Sequence, residues 1–177
     1  QGIQSVLITG MGGSAIGADL LAAYASPLCQ VPILVQRGYS LPAWVKGPET
    51  LVVTSSHSGN TEETLAVFEQ VSTSKCRILA LCTGGKLADS ARAKNIPLWT
   101  FNHRGQPRAA VGYSFGLLLS LITRLGLIPD PAEELSGAIS AMRSQQSTLH
   151  ADIPIARNPA KREAGQLVGR WIMIFGA

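Results

Sequence analysis

Cysteine is scarce in this sequence, and its spacing offers no pairing pattern. The chain of 177 residues contains only Cys29, Cys76 and Cys82, an odd number with no Cys-x-x-Cys spacing. Two of the three lie in or beside apolar segments that we predict to be strands. An odd, widely spaced set argues against a disulfide framework. We therefore expect reduced thiols and a cytoplasmic protein.

Long hydrophobic runs are missing as well. The best candidate, residues 115–122, stops at Thr123 and Arg124 and is well short of the ~18 residues that a membrane helix needs. Residues 1–10 lack the basic region that opens a signal peptide. The chain is nevertheless 46% hydrophobic, with a mean hydropathy of +0.20. This composition predicts a globular protein with a proper core and no membrane partner.

Aromatic residues make up only 6% of the chain, and its basic residues are scattered rather than clustered. The formal net charge is +4 and the isoelectric point about 9.2, which would suit an anionic partner. Nucleic acids are usually bound by clustered basic residues interleaved with aromatics, so we expect no nucleic-acid partner. A small phosphorylated ligand needs only a few positive charges.

What the sequence does contain is a regular alternation of apolar strand-like runs and helix-like segments. Strands are predicted at residues 6–9, 32–35, 50–54, 77–82 and 97–101, and helices at residues 15–24, 61–71 and 86–93. Nearly continuous apolar strands separated by helices indicate a parallel sheet covered on both faces. Ligands of such sheets bind at the carboxyl ends of the strands.

After His103 the pattern changes to helices, predicted at residues 109–125 and 131–150. Asp130 is the expected N-cap of the second, with Pro131 at its first helical position. A further helix should run from Asn158 to about residue 168.

Residues 171–176 then resemble the first strand of a second unit. We expect a fragment of a longer protein, because this strand comes so late and because Gln1 replaces the usual methionine. The predicted domains are residues 1–152, which form one complete domain, and residues 153–177, which form a linker helix and the start of a second domain.

The loop at residues 55–61 is rich in hydroxyl groups and follows the third predicted strand. Its sequence is Ser-Ser-His-Ser-Gly-Asn-Thr. Hydroxyls and the free N–H groups of a helix N-terminus bind phosphate without a metal, and Gly59 permits close backbone approach. Asn60 and Glu63 are the expected N-cap and N3 pair of the helix that follows. We predict a phosphate site here, with an ordinary capped turn as the alternative.

A second loop, Gly-Met-Gly-Gly-Ser-Ala at residues 10–15, follows the first predicted strand. It satisfies the looser form of the dinucleotide fingerprint, but Gln36-Arg37-Gly38 stands where an acidic residue should end the second strand. A nicotinamide cofactor is therefore disfavoured. Two interpretations remain: a glycine turn that packs helix against strand, and a substrate-contacting loop with Ser14 as a hydrogen-bond donor.

A third element is Gln-Pro-Arg-Ala-Ala-Val-Gly-Tyr at residues 106–113. Arg108 follows a strand end and precedes a long apolar helix, so it can lie on the same rim as both loops. A guanidinium there could bind phosphate or stabilise an oxyanion formed in a reaction. The alternative is a plain surface arginine.

The histidines and carboxylates give weaker signals. His57 lies within the phosphate loop without an identifiable partner, and we interpret it as loop packing, with a ligand contact as the alternative. His103 and His150 lack metal-ligand spacing, so no metal is expected. No carboxylate pair suggests acid-base catalysis, and Glu62 and Glu63 are explained by the helix dipole.

Three motifs together resemble one family. They are the loop at residues 10–15, the run Ser-His-Ser-Gly-Asn-Thr-Glu-Glu-Thr at 56–64 and the run Pro-Arg-Ala-Ala-Val-Gly-Tyr-Ser-Phe at 107–115. The combination resembles the sugar isomerase (SIS) domain of bifunctional phosphoglucose/phosphomannose isomerases, and it spans nearly the whole chain. The resemblance implies a three-layer α/β sandwich with a mainly parallel, five-stranded sheet of flavodoxin-like topology.

The resemblance also implies reversible aldose–ketose isomerisation without a metal or other cofactor, in a homodimer. Glucose 6-phosphate or mannose 6-phosphate would be interconverted with fructose 6-phosphate through an enediolate intermediate. Arg108 would be the catalytic residue beside the reacting carbons. The substrate-binding residues would be Gly12, Gly13, Ser14, Ser56, Ser58, Gly59, Asn60, Thr61 and Pro107.

This sequence departs from the family pattern in one respect. The family's glutamate base, ring-opening histidine and lysine lie beyond its first SIS domain and have no matching positions here. The isolated chain is therefore expected to be inactive or nearly so. A different class of function also fits the loops: an SIS module that senses a sugar phosphate and regulates a partner without chemistry of its own. The Arg108 segment favours the enzyme.

Overall fold

The computed structural model describes residues 2–175, and the predicted strands and helices form an α/β sandwich in its first part. The strands are β1 (Ser5–Thr9), β2 (Ile33–Gln36), β3 (Thr50–Ser56), β4 (Arg77–Cys82) and β5 (Leu98–Thr100). The helices are α1 (Gly12–Ala25), α2 (Glu62–Ser72), α3 (Gly85–Ala93) and α4 (Val111–Arg124). All four strand pairings are parallel, in the order β2-β1-β3-β4-β5. The predicted fold class and flavodoxin-like strand order are confirmed.

The sheet is buried on both faces, as its nearly continuous apolar strands predict. All seven residues of the central strand β3 are buried. Successive side chains of a strand point to opposite faces. Val6 and Ile8 accordingly join the core beneath α1 and α4, whereas Leu7 lies on the other face with Val71 of α2. Both layers of helices therefore bury apolar surface against one sheet, which is the main source of its stability.

The strand register brings the carboxyl ends of the strands to one edge. Thr9 at the end of β1 pairs with Thr54 of β3, and Cys82 at the end of β4 pairs with Ser56 and with Thr100 of β5. Helix α1 packs on α4, whereas α2 contacts α3, so the helices that follow the adjacent strands β1 and β3 cover opposite faces. The gap between these two strands is thus a switch point, where α/β sheets bind ligands.

The chain divides into two compact units, Gln1–Pro129 and Asp130–Ala177. The second contains α5 (Ala132–Leu149), a short 3₁₀ helix and α6 (Pro159–Leu167), which confirms both predicted helices. The buried Asn158 caps α6 by accepting from the Lys161 N–H at 3.1 Å. The domain boundary at residue 152 stays a prediction.

The predicted start of α5 is wrong by one residue. Asp130 accepts a hydrogen bond from the Ala132 N–H at 3.1 Å, and this local turn holds Pro131 at ψ 21°, outside the helix. An aspartate that bonds the N–H two residues ahead favours a turn over a helical proline. Pro131 is consequently the N-cap, and the helix begins at Ala132.

The strand expected at the end of the chain is also not formed within the described residues. Residues 171–175 carry no strand hydrogen bonds, and the Trp171 side chain is fully exposed. A β-strand exists only with a partner strand, and no strand of residues 2–175 pairs with this segment. Gly176, the last residue of the predicted strand, lies outside the described residues.

The cysteines lie apart from one another as free thiols. Cys82 is buried at the end of β4, and burial raises the pKa of its thiol. Within residues 2–175, no helix has both the length and the hydropathy of a bilayer-spanning segment.

Candidate functional site

The loops that follow β1 and β3 meet at the carboxyl edge of the sheet and enclose a cavity of about 190 Å³. Its lining consists of Met11, Gly12, Gly13, Ser14, His57, Ser58, Thr61 and Pro107. Six of these are sequence-predicted site residues: Gly12, Gly13, Ser14, Ser58, Thr61 and Pro107. The other four predicted residues, Ser56, Gly59, Asn60 and Arg108, do not line this cavity. The structure thus brings together residues from three separate motifs.

Ser56 is an internal support of the second loop. Its side chain is buried, its hydroxyl lies 2.9 Å from the Thr61 hydroxyl, and it accepts from the Gly59 N–H at 3.1 Å. Ser58 is exposed, and its hydroxyl accepts from the Asn60 N–H at 3.2 Å. The loop is therefore held by its own hydroxyls, while Ser58 and Thr61 line the cavity.

Gly59 brings the loop into very close contact with the turn between β4 and α3. It has φ +68°, and a Cβ on it would lie 1.8 Å from the Gly84 carbonyl oxygen. The Gly59 carbonyl in turn accepts from the Leu87 N–H at 2.9 Å. Only glycine fits both the left-handed backbone and the available space. The close approach seen here is to the turn after β4, and the approach of this loop to a phosphate stays a prediction.

The expected N-cap role of Asn60 is wrong. The N-cap of α2 is Thr61, without a side-chain hydrogen bond. Asn60 instead reaches the neighbouring helix, where its Oδ1 accepts from the Lys86 N–H at 3.1 Å, and its Nδ2 donates to the Ser58 carbonyl at 3.2 Å. Because β3 and β4 are adjacent, the first turn of α3 competes for this amide, and Glu62 and Glu63 remain to complement the positive end of α2.

The first loop packs against the third motif and also lines the cavity. Gly13 packs against the third motif, since a Cβ there would lie 2.9 Å from the Pro107 carbonyl oxygen. Ser14 is buried and accepts from the His57 N–H at 3.1 Å, which ties the two loops together. A hydroxyl that accepts one hydrogen bond still has its own proton to donate. The loop therefore packs and also lines the cavity.

Arg108 lies at the rim, in the short 3₁₀ helix Pro107–Ala110 that leads into α4. Its side chain is exposed, and within residues 2–175 it forms no hydrogen bond or ion pair. Pro107 lines the cavity, whereas Arg108, the next residue, does not. The guanidinium is therefore uncommitted beside the site.

A pair of histidines at the same edge was missed from the sequence. His57 Nε2 and His103 Nδ1 are 2.9 Å apart, at hydrogen-bond distance. Both rings contact aromatic neighbours: His57 meets Phe101 edge-on at 5.8 Å, and His103 lies 5.4 Å from Tyr113. Burial, and to a lesser extent the charge on His103, lowers the pKa of His57.

In the sequence, the signal for this pair is the position of the two histidines. Each follows a strand of the predicted parallel sheet, and such strands end at the same sheet edge. β4 lies between β3 and β5, so the two histidines are not on adjacent strands. The turn between β4 and α3 consists of Thr83 and Gly84, and the Thr83 hydroxyl donates to the His57 carbonyl at 2.7 Å. His103 also lines a second, wider cavity of about 560 Å³ together with Thr83, Thr100, Phe101, Asn102 and Arg104.

Acidic groups are missing from both cavities. No Asp or Glu lines either of them. In the described part of the chain, no group of three or more His, Cys, Asp or Glu side chains is placed to hold a metal ion. The arrangement offers hydroxyls, helix N-termini, imidazoles and arginines, which is the chemistry of an anion site.

No protein-family model matches the chain, but several characterised proteins do. It is 39% identical over 176 residues to a bifunctional phosphoglucose/phosphomannose isomerase from Caldicellulosiruptor bescii, covering 99% of this chain and 52% of the relative. The chain belongs to the bifunctional phosphoglucose/phosphomannose isomerase family. An Aquifex aeolicus member is 31% identical over 136 residues, or 74% of this chain and 40% of that protein.

A further relative of this chain is named for a different activity. A D-glucosamine-6-phosphate 4-epimerase from Sulfolobus acidocaldarius is 30% identical over 122 residues, or 68% of this chain and 38% of that protein. The chain spans about half the length of the first curated relative it matches, and less of the others.

Solved structures share the SIS fold. A putative phosphosugar isomerase from Clostridium difficile superposes with a TM-score of 0.65 at 16% identity, covering 84% of this family member and 46% of that chain. The tagatose-6-phosphate ketose/aldose isomerase of Escherichia coli gives a TM-score of 0.59 at 16% identity, and the match covers 81% of this chain and 43% of that one. At these identities the likeness establishes the fold alone.

Proposed function

We propose that this chain is the phosphate-binding half of a phosphosugar aldose–ketose isomerase. The reaction would interconvert glucose 6-phosphate or mannose 6-phosphate with fructose 6-phosphate. The observation that carries the proposal is the cavity of about 190 Å³ in which three sequence motifs meet. Its hydroxyls and the adjacent N-termini of α1 and α2 supply donors from several directions, as a phosphate requires. The name of the C. bescii relative supports the substrate class.

Each predicted binding residue has a part in this proposal. Ser14, Ser58 and Thr61 would donate to phosphate oxygens from the cavity wall, and Gly12, Gly13 and Pro107 would shape it. Ser56, Gly59 and Asn60 would hold the second loop through the hydrogen bonds described above. A binding loop fixed before the ligand arrives loses less conformational entropy on binding.

Arg108 would act on the reacting end of the sugar. Moving a proton between adjacent carbons passes through an enediolate, whose oxygens develop negative charge. A guanidinium without another partner can approach that charge and stabilise it. Proton transfer also needs a base near neutral pH, usually a carboxylate. Since no carboxylate lines the cavity, the base would come from outside this segment, and the isolated chain would bind sugar phosphates without turning them over.

The same absence of a carboxylate from the cavity lining favours a second candidate, a module that senses a sugar phosphate without chemistry. The greater length of the named isomerases favours the enzyme. Measuring isomerisation in the complete protein that contains this segment distinguishes the two, because a sensor binds fructose 6-phosphate but leaves it unchanged. A homodimer is part of the enzyme proposal.

Ligand-induced stabilisation tests the phosphate site directly. At ten times its dissociation constant, fructose 6-phosphate should stabilise the chain by about 1.4 kcal/mol, which raises the melting temperature by about 4 °C. Ser58→Ala should weaken binding by about tenfold, since it removes a hydrogen bond to a charged group. Differential scanning fluorimetry measures both effects.

Ser140→Ala is the matched control, because Ser140 is an exposed serine of α5 and its loss should leave the ligand-induced shift intact. Glucosamine 6-phosphate belongs in the ligand panel, given the activity named for the S. acidocaldarius relative. The absence of any shift at millimolar concentrations of every sugar phosphate would contradict a preformed site.

A further inference from the structure

The His57–His103 pair adds a titratable group to the wall of the cavity. His57 lines the cavity of about 190 Å³, and His103 lines the wider cavity beside it. The hydrogen bond of 2.9 Å between their rings is the side-chain link between these two spaces. The main chain of His57 is fixed independently, because its N–H donates to Ser14 and its carbonyl accepts from the Thr83 hydroxyl at 2.7 Å.

The shared hydrogen bond constrains where protons can reside. One ring must donate through His57 Nε2 or His103 Nδ1, and the other must accept. In the neutral pair, only one of the two outward nitrogens, His57 Nδ1 and His103 Nε2, then carries a proton. One additional proton fills the bare nitrogen, so that both outward nitrogens become donors and the pair becomes a cation.

The surroundings of the pair disfavour that cation. Burial and the charge on His103 lower the pKa of His57, which disfavours the protonated form of its ring. Around the pair, the loop after β5 contributes His103 and Arg104, and α4 contributes Tyr113, whose ring lies against His103. The short 3₁₀ helix that lines the cavity together with His57 carries Arg108. The main chain of His57 contacts two hydroxyls, that of Ser14 in α1 and that of Thr83 after β4. None of these groups is acidic, so the cationic pair lacks a counter-charge until an anion arrives.

We propose that the His57–His103 pair is an additional part of the substrate site, which takes up a proton when a sugar phosphate dianion occupies the cavity. The proposal rests on the proposed phosphate-binding function. The bound dianion supplies the missing counter-charge, and the imidazolium of His57 supplies a charge-assisted hydrogen-bond donor to it. No covalent bond changes, and the proton comes from solvent.

The sign of the pH dependence follows from linkage. The anion raises the pKa of the pair, so between the free and the bound pKa one proton accompanies binding. Affinity should therefore increase as pH falls through this window, by up to about tenfold per pH unit. Below about pH 6 the phosphate monoester itself becomes protonated, and this gain should disappear.

Isothermal titration calorimetry of the chain with fructose 6-phosphate tests the proposal at pH 7.5, where a phosphate monoester with a pKa near 6 is almost fully dianionic. Repeating the titration in two buffers of different ionisation enthalpy gives the number of protons taken up. The wild-type chain should take up a measurable fraction, at most about one proton. His57→Phe keeps a ring but removes the imidazole that lines the cavity, and it should abolish the uptake.

Ser58→Ala separates this inference from the proposed function. It should weaken binding at every pH while the proton uptake per bound ligand persists. Wild-type binding without proton uptake would overturn the histidine proposal and leave the phosphate site standing. A complete lack of binding at any pH would overturn both.

Nitrogen-15 spectra of the imidazole rings give a second readout that requires no variant. The chain has only three histidines, and His150 has its own partner in Asp152 at 3.1 Å, so it serves as the internal reference. Inorganic phosphate and fructose 6-phosphate should both shift the His57 and His103 nitrogens toward imidazolium values and leave His150 unchanged. Unchanged His57 and His103 signals at ligand saturation would contradict the proposal.

Discussion

At the scale of single residues, Ser56 and Ser58 show how neighbouring serines of one motif acquire different functions. Both belong to the same run of hydroxyls in the sequence, but Ser56 is 2% exposed and makes its hydrogen bonds inside the loop. Ser58 is exposed and faces the cavity. The difference arises because Ser56 is the last residue of β3 and Ser58 lies beyond the strand.

Alanine substitutions should separate these two roles. Ser56→Ala removes the buried hydroxyl that bonds the Thr61 hydroxyl and the Gly59 N–H, and it leaves that N–H only the Ser56 carbonyl at 3.2 Å. It should lower the free energy of unfolding by about 1 kcal/mol. Ser58→Ala removes an exposed hydroxyl and should change it by less than about 0.5 kcal/mol. Urea denaturation followed by circular dichroism measures both values. Equal losses of stability in the two variants would contradict the assignment.

At the scale of elements, the site depends on contacts between loops rather than on any one loop. Asn60 follows β3 but caps the first turn of α3 through Lys86, and Ser14 of α1 holds the main chain of His57. Each loop is therefore fixed by its neighbour. In the proposed phosphate site, this arrangement would orient the cavity-lining groups before a ligand binds and would lower the entropic cost of binding.

The contact between Gly59 and the turn after β4 should tolerate no side chain. Gly59→Ala combines left-handed backbone strain with a clash against the Gly84 carbonyl, and it should cost about 3 kcal/mol. Gly12→Ala is the matched control, because Gly12 has φ +51° and no atom within 4 Å of its added Cβ. It should cost only about 1 kcal/mol of backbone strain.

Chemical denaturation of both glycine variants gives the comparison, and fructose 6-phosphate binding shows whether the loop has moved. If Gly59→Ala were no more destabilising than Gly12→Ala, the close approach between the two turns would not exist in solution.

At the scale of the whole molecule, the first unit contains everything that the proposed binding function needs. The five strands, their covering helices and the cavity all lie within Gln1–Pro129. Its core includes Ile122 and Ile128, which close the unit at its carboxyl end. By contrast, α5 and α6 of the second unit have no buried side chains.

A chain shortened to end at Pro129 should therefore fold and bind. We expect cooperative thermal unfolding and the same fructose 6-phosphate stabilisation as the chain of 177 residues, because the buried core of the unit is retained. Calorimetry on the two chains measures both properties. A shortened chain that lacks a cooperative transition would show that residues 130–177 are required for folding of the sheet.

The sequence by itself determined the α/β class, the parallel sheet, the order of most elements and the two loops that form the cavity. These features are local, because apolar runs, helix periodicity and glycine-hydroxyl turns are set by residues close together in the chain. Two predicted caps, Asn60 for α2 and Asp130 for α5, are wrong because other hydrogen-bond partners compete for these side chains. The predicted strand does not form over residues 171–175, where the described chain offers it no partner strand.

Only the tertiary structure decided which groups meet. His57 and His103 are 46 residues apart, and no local pattern connects them. Their contact requires β3, β4 and β5 to pair in register, which brings both strand ends to the same edge of the sheet. Likewise, Pro107 reaches the first loop because α4 packs on α1. Long-range side-chain contacts depend on strand order and packing, which one sequence encodes only through the complete fold.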